Sequence, residues 1–300
     1  MSQPQEVRGQ AQSMICQHGM PKELCPDCQP KPLKSATMEW ASSEYMRNLF
    51  KLLATIGEDV EFQVKPDGVF ARFMDPSRVS MLELKMGKAF CEEYVLKNLG
   101  PEEYLKFVLN VDWMLKKPLQ KVYEDERLRL EIEETKDIRI ILKGVFERRF
   151  TFHPSDDAFE QIPVPKIHYT YVAKLSMDHD PDNFDTPIAD IFNNFDSVVE
   201  LIGTPDKLTL KEEGENPCRI DLNKNSEAVL DLQCHQEAGK EEPRGFYSTT
   251  YLQEFFRNAK EVGNVVELSF ARDMPLQIQL TLLRDLEIRF WFAPRITSDC

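Results

Sequence analysis

Two amphipathic helix patterns in the first half of this chain return, in the same order, roughly 140 residues later. "SEYMRNLFKLLATIG" sets Met46, Leu49, Phe50 and Leu53 on one helical face and stops at Gly57. Its counterpart, "TPIADIFNNFDSVVELIG", offers Thr186 as a cap, Pro187 in the first turn, and Ile188, Ile191, Phe192, Phe195 and Ile202 inward. The strand patterns "DVEFQV" and "DKLTLKEE" follow them. The second pair is "DWMLKKPLQKV", with Leu115, Leu119 and Val122 inward, and "STTYLQEFFRNAKEVG", with Leu252, Phe255, Phe256, Ala259 and Val262 inward. These precede "RLRLEIEE" and "NVVELSF". Coincidence between common helix patterns would not preserve the order of elements, so a duplicated α+β unit is the expectation. The strands alternate and turn through short loops such as Pro66-Asp67-Gly68, which predicts antiparallel sheets with helices covering one face. Pro118 interrupts the second helix pattern and should bend it unless that helix starts later.

Three hundred residues with an apolar fraction of 42% allow two domains with real cores. Apolar runs fall well short of the about 20 residues that a membrane span needs, and the N-terminus has neither a basic start nor an apolar block. The expected location is intracellular: cytoplasmic, or nuclear if the source is a eukaryote. A net charge of −14 repels nucleic acid and anionic membranes at long range. Screening over about 10 Å still permits a local basic surface. The acidic clusters Glu124-Asp125-Glu126, Glu131 with Glu133-Glu134, and Glu237 with Glu241-Glu242 read as solvated faces and loops.

Seven cysteines do not form a disulfide framework. Cys91, Cys218, Cys234 and Cys300 are scattered and read as free thiols. In "CQHGMPKELCPDC", however, Cys16, His18, Cys25 and Cys28 supply four thiolate or imidazole donors, with Gly19 and Pro21 allowing the loop to fold back. The expectation is a structural Zn2+ site with a closed shell, on a segment too small to fold without its metal. A flexible tail with incidental cysteines is the alternative; a redox C-x-x-C lacks its strand–helix context. "QPKPLKSATMEW" reads as a linker before a body beginning near Ser43.

The chain ends in "IRFWFAPRITSDC", where bulky aromatics and a proline close a strand. Taken with "FARFMDPSRVSMLEL" at 70–84 and "ARDMPLQIQLTLLRDLEIRFWFAPRI" at 271–296, this tail resembles the DNA sliding clamps of the proliferating-cell-nuclear-antigen family over roughly residues 43–296. The resemblance implies an α+β fold of two similar clamp domains, each with antiparallel sheets and two inner helices, closing three subunits into a pseudo-sixfold ring around duplex DNA. It divides the chain into a 1–42 extension, domain 1 at 43–153, a connector at 154–168 and domain 2 at 169–297. The ring would be a homotrimer or a heterotrimer, and no membrane is involved.

It also implies a hydrophobic pocket for short clamp-interacting peptides of DNA polymerase, the clamp loader and other partners. Met74, Arg78, Val79 and Met81 match its hairpin wall, and Ile162, Val164, Pro165 and Tyr169 match the connector. Pro275 matches a loop, while Trp291, Ala293 and Pro294 match the C-terminal wall, with Trp291 replacing the family's usual tyrosine. Ordinary core packing is the alternative for any one of them. The DNA-facing residues would be Arg47, Lys51, Lys116, Lys117, Lys121, Arg257 and Lys260. The third helix departs from the family, because its polar face reads Asp190, Asn193, Asn194, Asp196 and Glu200. Phe150 in "RRFTF" and Ile220 in "CRIDL" would lie at the subunit interface. No nucleotide-binding or nucleophile motif stands out, so a non-enzymatic processivity factor is the expectation. A clamp-fold relative acting in damage signalling, or as an adaptor that does not encircle DNA, is the second reading. A zinc enzyme built on the N-terminal cluster would need an open metal position.

Overall fold

The computed structural model describes residues 25, 32–155, 162–177, 188–235, 241–281 and 285–295. The first half contains β1 (Ser35–Trp40), α1 (Ser43–Ala54), β2 (Asp59–Lys65), β3 (Gly68–Met74), β4 (Ser80–Gly87), β5 (Glu93–Lys97), β6 (Leu105–Asn110), α2 (Val111–Lys116), β7 (Arg127–Glu133), β8 (Ile138–Lys143) and β9 (Glu147–Phe152). The second half repeats the plan with β10 (Tyr171–Ser176), α3 (Ile188–Ile191), β11 (Val198–Thr204), β12 (Lys207–Glu212), β13 (Cys218–Asn223), β14 (Val229–Cys234), β15 (Arg244–Ser248), α4 (Thr249–Ala259), β16 (Val265–Phe270), β17 (Leu276–Thr281) and β18 (Leu286–Phe292).

All pairings are antiparallel, and the duplication is plainest in their order. The first half makes a five-strand set, β5-β1-β7-β8-β9, and a four-strand set, β4-β3-β2-β6. The second half makes β14-β10-β16-β17-β18 and β13-β12-β11-β15. One five-strand and one four-strand set fuse through β18 and β4 into a nine-stranded sheet. Of the remaining two sets, one ends at β5 and β9 and the other at β13 and β15, with β9 and β13 at the places of β18 and β4.

Period-2 alternation sends one side of each strand into the core. In β18, Leu286, Ile288, Phe290 and Phe292 are buried against the helices; the Phe255 ring of α4 meets Phe290 at 4.2 Å, edge on. The helices form a row, α2 beside α1, α1 beside α4, and α4 beside α3. α1 starts where Ser42 accepts a hydrogen bond from the Tyr45 N–H (3.1 Å), and it buries Met46, Leu49, Phe50 and Leu53 as its periodicity requires. The β2–β3 turn runs through Pro66 and Asp67 to Gly68, at φ 153°. A side chain at Gly68 would strike the Met86 carbonyl, at 2.1 Å.

Several expectations need correction. Ser35–Trp40 is no linker: it is β1, hydrogen-bonded between β5 and β7, so the first domain begins about eight residues before 43. α2 is not bent at Pro118 but ends at Lys116, because Pro118 has no N–H to continue the ladder. Asn110 caps its start by accepting from the Trp113 N–H at 2.6 Å. Leu119 is buried, whereas Leu115 and Val122 are half-buried.

The third helix pattern is helical only to Ile191, followed by a 3-10 turn over Phe192–Asn194. Gln253 of α4 donates to the carbonyls of Phe192 (3.1 Å) and Phe195 (2.9 Å), closing that end. The Glu212 carboxylate then accepts from the N–H groups of Asp196 (2.6 Å), Ser197 (2.9 Å) and Val198 (3.3 Å), turning the chain into β11. Burial would raise the Glu212 pKa, but these donations outweigh it and hold it below the usual range. Ile202 and Glu200 therefore lie on a strand, and Glu200 is buried against Arg244 (2.8 Å). Glu126 is not solvated either: it is buried, holds Arg148 at 2.7 and 2.8 Å, and accepts from the Ser43 hydroxyl at 3.1 Å.

Candidate functional site

The outer face of the nine-stranded sheet carries the residues that the alternation turns away from the helices. Met74, Met81, Trp291 and Gln277 form one row across β3, β4, β18 and β17; Arg72, Glu83, Arg289 and Gln279 form the next. The Asp75–Val79 hairpin beside the first row is held by its own aspartate. Asp75 accepts from the N–H groups of Ser80 (2.5 Å) and Ser77 (3.1 Å), and Arg78 takes a left-handed φ of 60°. The Ala293 N–H donates to the Val79 carbonyl at 2.8 Å, which fastens the end of β18 to this hairpin. Pro275 falls opposite Ala293 in the continued β17–β18 pairing.

The connector from Ile162 crosses this face. Arg72 fixes it, donating to the Ile162 carbonyl at 2.9 Å while its Nε reaches Glu83 at 3.0 Å. Glu83 is buried, with Lys85 also at 3.0 Å and Arg289 at 3.8 Å. Burial alone would raise the Glu83 pKa, but Arg72 and Lys85 bring it below the ordinary carboxylate range. At the other end, burial pushes the Tyr169 hydroxyl up to about 12, opposed by the neighbouring Trp291 indole. Neither Tyr169 Oη nor Trp291 Nε1 has a hydrogen-bond partner of good geometry among the described residues.

The expected pocket residues are thus brought together in one region: Met74, Met81 and Trp291 in a row, Val79 and Ala293 bonded, Tyr169 beside Trp291, and Ile162 anchored by Arg72. Val164, Pro165, Pro275 and Pro294 are half-buried, while Arg78 and Ala293 are exposed. The outcome differs from expectation for Trp291 and Met81. Both are buried rather than forming an open rim, so in this chain they are a floor. A cleft of about 670 Å3 lies beside this region, between Ile162-Pro163 and a surface of Gln63, Phe70 and the cations Lys65, Arg72 and Lys85. Sequence reading missed those residues. The alternation of β3 and β4 points them outward, but nothing local marks Arg72 as the connector's anchor.

The cations assigned to DNA divide three ways. Arg47 and Lys51 lie on α1 and Arg257 on α4, with Lys260 at the α4 C-cap. Lys116 ends α2, but Lys117 and Lys121 follow it in turns rather than on a helix. Several face acids: Arg47 with Glu44 (3.1 Å), Lys116 with Asp112 (2.7 Å), Lys260 with Asp190 (3.8 Å). Asp190 is on α3, but Asp196 and Glu200 lie beyond its end at Ile191, so of the acids assigned to the third helix only Asp190 is on it. Phe150 and Ile220 lie on β9 and β13, the edge strands at the places that β18 and β4 hold in the internal junction. Of the four metal candidates only Cys25 is described; Cys16, His18 and Cys28 lie outside the described residues.

No family model matches the chain. A DNA polymerase sliding clamp from Thermofilum pendens is 27% identical over 258 residues, 83% of this chain and 94% of the relative. DNA polymerase sliding clamp 1 of Pyrobaculum aerophilum is 25% identical, covering 81% and 92%. Among solved structures, PCNA from Thermococcus kodakaraensis superposes with a TM-score of 0.74 at 21% identity, over 87% of this chain and all of the other. The fold is that of a sliding clamp. A PCNA2–PCNA3 complex from Sulfolobus tokodaii gives the same TM-score at 20% identity, over 86% of this chain and 99% of that one. Among the described residues no helix is long and apolar enough to cross a membrane.

Proposed function

We propose that this chain is a subunit of a DNA sliding clamp, a processivity factor that works by topology rather than by chemistry. The observation that carries it is the sheet order. A five-strand set joins a four-strand set once inside the chain, and one of each is left with an open edge at β9 and β13. Joining those edges between neighbours repeats the internal junction and propagates a ring; open edges left alone invite indiscriminate pairing. The helix row then faces one side of every subunit. Diffuse contacts from Arg47, Lys51, Lys116, Lys117, Lys121, Arg257 and Lys260 to phosphates would hold DNA without reading bases, so the ring slides.

Partner proteins would dock on the outer face, over the floor of Met81 and Trp291. Met74, Val79, Pro275, Ala293 and Pro294 would form one side and Ile162, Val164, Pro165 and Tyr169 the other, with Arg78 at the rim. A short helical turn bearing aromatic anchors suits an apolar site of this kind. Retention on nicked circular DNA, with loss after linearisation, is the expected behaviour. Equal retention on both forms would refute the ring. The acids facing the helix cations favour a second reading, an adaptor or damage-signalling subunit with a loose hold on DNA, for which peptide binding would persist without DNA retention.

We also infer a structural Zn2+ on Cys16, His18, Cys25 and Cys28, supported by spacing and donor chemistry. It predicts one zinc per chain by elemental analysis, lost on Cys25→Ser together with Cys28→Ser.

A further inference from the structure

The internal β18–β4 junction is a template for the open edges, and the duplication transfers its register. Across the five-strand sets, the row Met38-Leu130-Ile140-Phe150 occupies the place of Ala173-Leu268-Ile278-Phe290. The strand ends agree, with Phe152 at the place of Phe292 and Ile138 at that of Leu276. Across the four-strand sets, Phe107-Phe62-Ala71-Leu84 matches Gly245-Leu201-Leu210-Ile220. The helix caps Asn110 and Ser248 each stand three residues beyond that row. The internal junction pairs Phe290 with Leu82, Arg289 with Glu83, Ile288 with Leu84, Glu287 with Lys85 and Leu286 with Met86. The same register between copies sets Phe150 on Cys218, Arg149 on Arg219, Arg148 on Ile220, Glu147 on Asp221 and Phe146 on Leu222.

The apolar part of this transferred junction is sound. Phe146 is 52% exposed in the lone chain, whereas Leu286, its counterpart at the internal junction, is 3% exposed; a neighbour's Leu222-like residue would cover it. The charges are not sound. Inside the chain the outer row is complementary, Arg289 against Glu83 and Glu287 against Lys85. β9 keeps the order of β18, with Glu147 and Arg149 at the places of Glu287 and Arg289. β13 reverses the order of β4, with Arg219 for Glu83 and Asp221 for Lys85. A copy of the chain would set arginine against arginine and carboxylate against carboxylate. Like charges directly opposite in a sheet destabilise it. In the lone chain Arg149 pairs with Glu147 and Arg219 with Asp221 at 3.3 Å along their own strands, as Arg289 with Glu287 and Lys85 with Glu83 do inside the chain, and Asp221 also meets Lys207 of β12 at 3.3 Å; what differs is the order across the junction. On the core side, Arg148 is held by Glu126 where the internal junction has Ile288.

We propose that this chain discriminates against its own copy and enters a ring of unlike subunits. This rests on the clamp reading. The β9 edge takes a second clamp-fold chain presenting an acid opposite Arg149 and a base opposite Glu147. The β13 edge takes one presenting an acid opposite Arg219 and a base opposite Asp221.

The test is sedimentation of the full chain against the double variant Arg219→Glu with Asp221→Lys, which copies the order of β4. The variant should self-associate about tenfold or more tightly than the parent in ordinary salt, and the gain should shrink near 1 M salt. Adding Glu147→Lys and Arg149→Glu should cancel it. A parent that closes into trimers as tightly as the double variant overturns the proposal, and if those trimers stay on circular DNA the clamp reading survives. Absence of association in every form, at any concentration, overturns the proposal and counts against edge-to-edge joining itself.

Discussion

Replacing Arg72 with alanine isolates the connector's attachment to the sheet. Arg72 makes one charge-assisted hydrogen bond to the Ile162 carbonyl and pairs through its fork with buried Glu83. A bond from a charged donor contributes roughly 1.5–3 kcal/mol, and a buried carboxylate stripped of a partner costs more. Two facts reduce the total: the Arg72 side chain is about a quarter exposed, at 26%, and Lys85 remains 3.0 Å from Glu83. A loss of about 1–2 kcal/mol is the result. Proteolytic cleavage within 162–170 should then quicken about 5- to 30-fold, while β16 and β17 stay protected. Arg72→Lys should recover the Glu83 pairing in part but not the double attachment. The effect is pH-dependent with a definite sign. Because the folded-state pKa of Glu83 is depressed, its stabilisation is present above its unfolded value near about 4.3, and is lost as pH falls through the folded value. Parent and variant should converge in acid. Unchanged cleavage within 162–170 in Arg72→Ala near neutral pH would refute the anchoring argument.

Three further outcomes follow from the geometry. Phe255→Ala, which removes the ring against Phe290, should cost about 3–5 kcal/mol by denaturant unfolding, an effect a surface role would not give. Ala293→Arg, at an exposed position of the proposed peptide site, should weaken binding of a Q-x-x-hydrophobic-x-x-aromatic-aromatic peptide at least about tenfold with little loss of stability; equal affinity would move the site elsewhere. Lys51→Glu with Arg257→Glu should speed release from DNA and lower the salt dependence of binding by about one unit per lost contact, and an unchanged salt slope would take the helix row off the DNA.

The relation between sequence and structure is clearest in the helices. α1 and α4 follow their periodicity because their inward faces, Met46-Leu49-Phe50-Leu53 and Leu252-Phe255-Phe256-Ala259, decide their state locally. α3 fails because "SVVELIG" carries a strand's alternation as well as a helix's. The choice is made by Gln253 and Glu212, which are distant in sequence. β1 was hidden for a similar reason: "SATMEW" is short, adjoins a proline-rich stretch, and is a strand because β5 and β7 flank it. The hairpin and the tail were each marked by their motifs, and the structure sets them side by side on one face of the sheet. The burial of Trp291 and the anchoring by Arg72 were not legible, because each depends on a contact across strands.

From the sequence alone came the duplication, the antiparallel α+β class and the inward faces of the long helices, because periodicity and turn residues act over a few neighbours. The tertiary structure alone decided where α2 and α3 stop, which strand edges remain open, and which charges would face each other across a junction. Those are outcomes of pairing between distant segments, and a strand's own residues do not encode what will lie beside them.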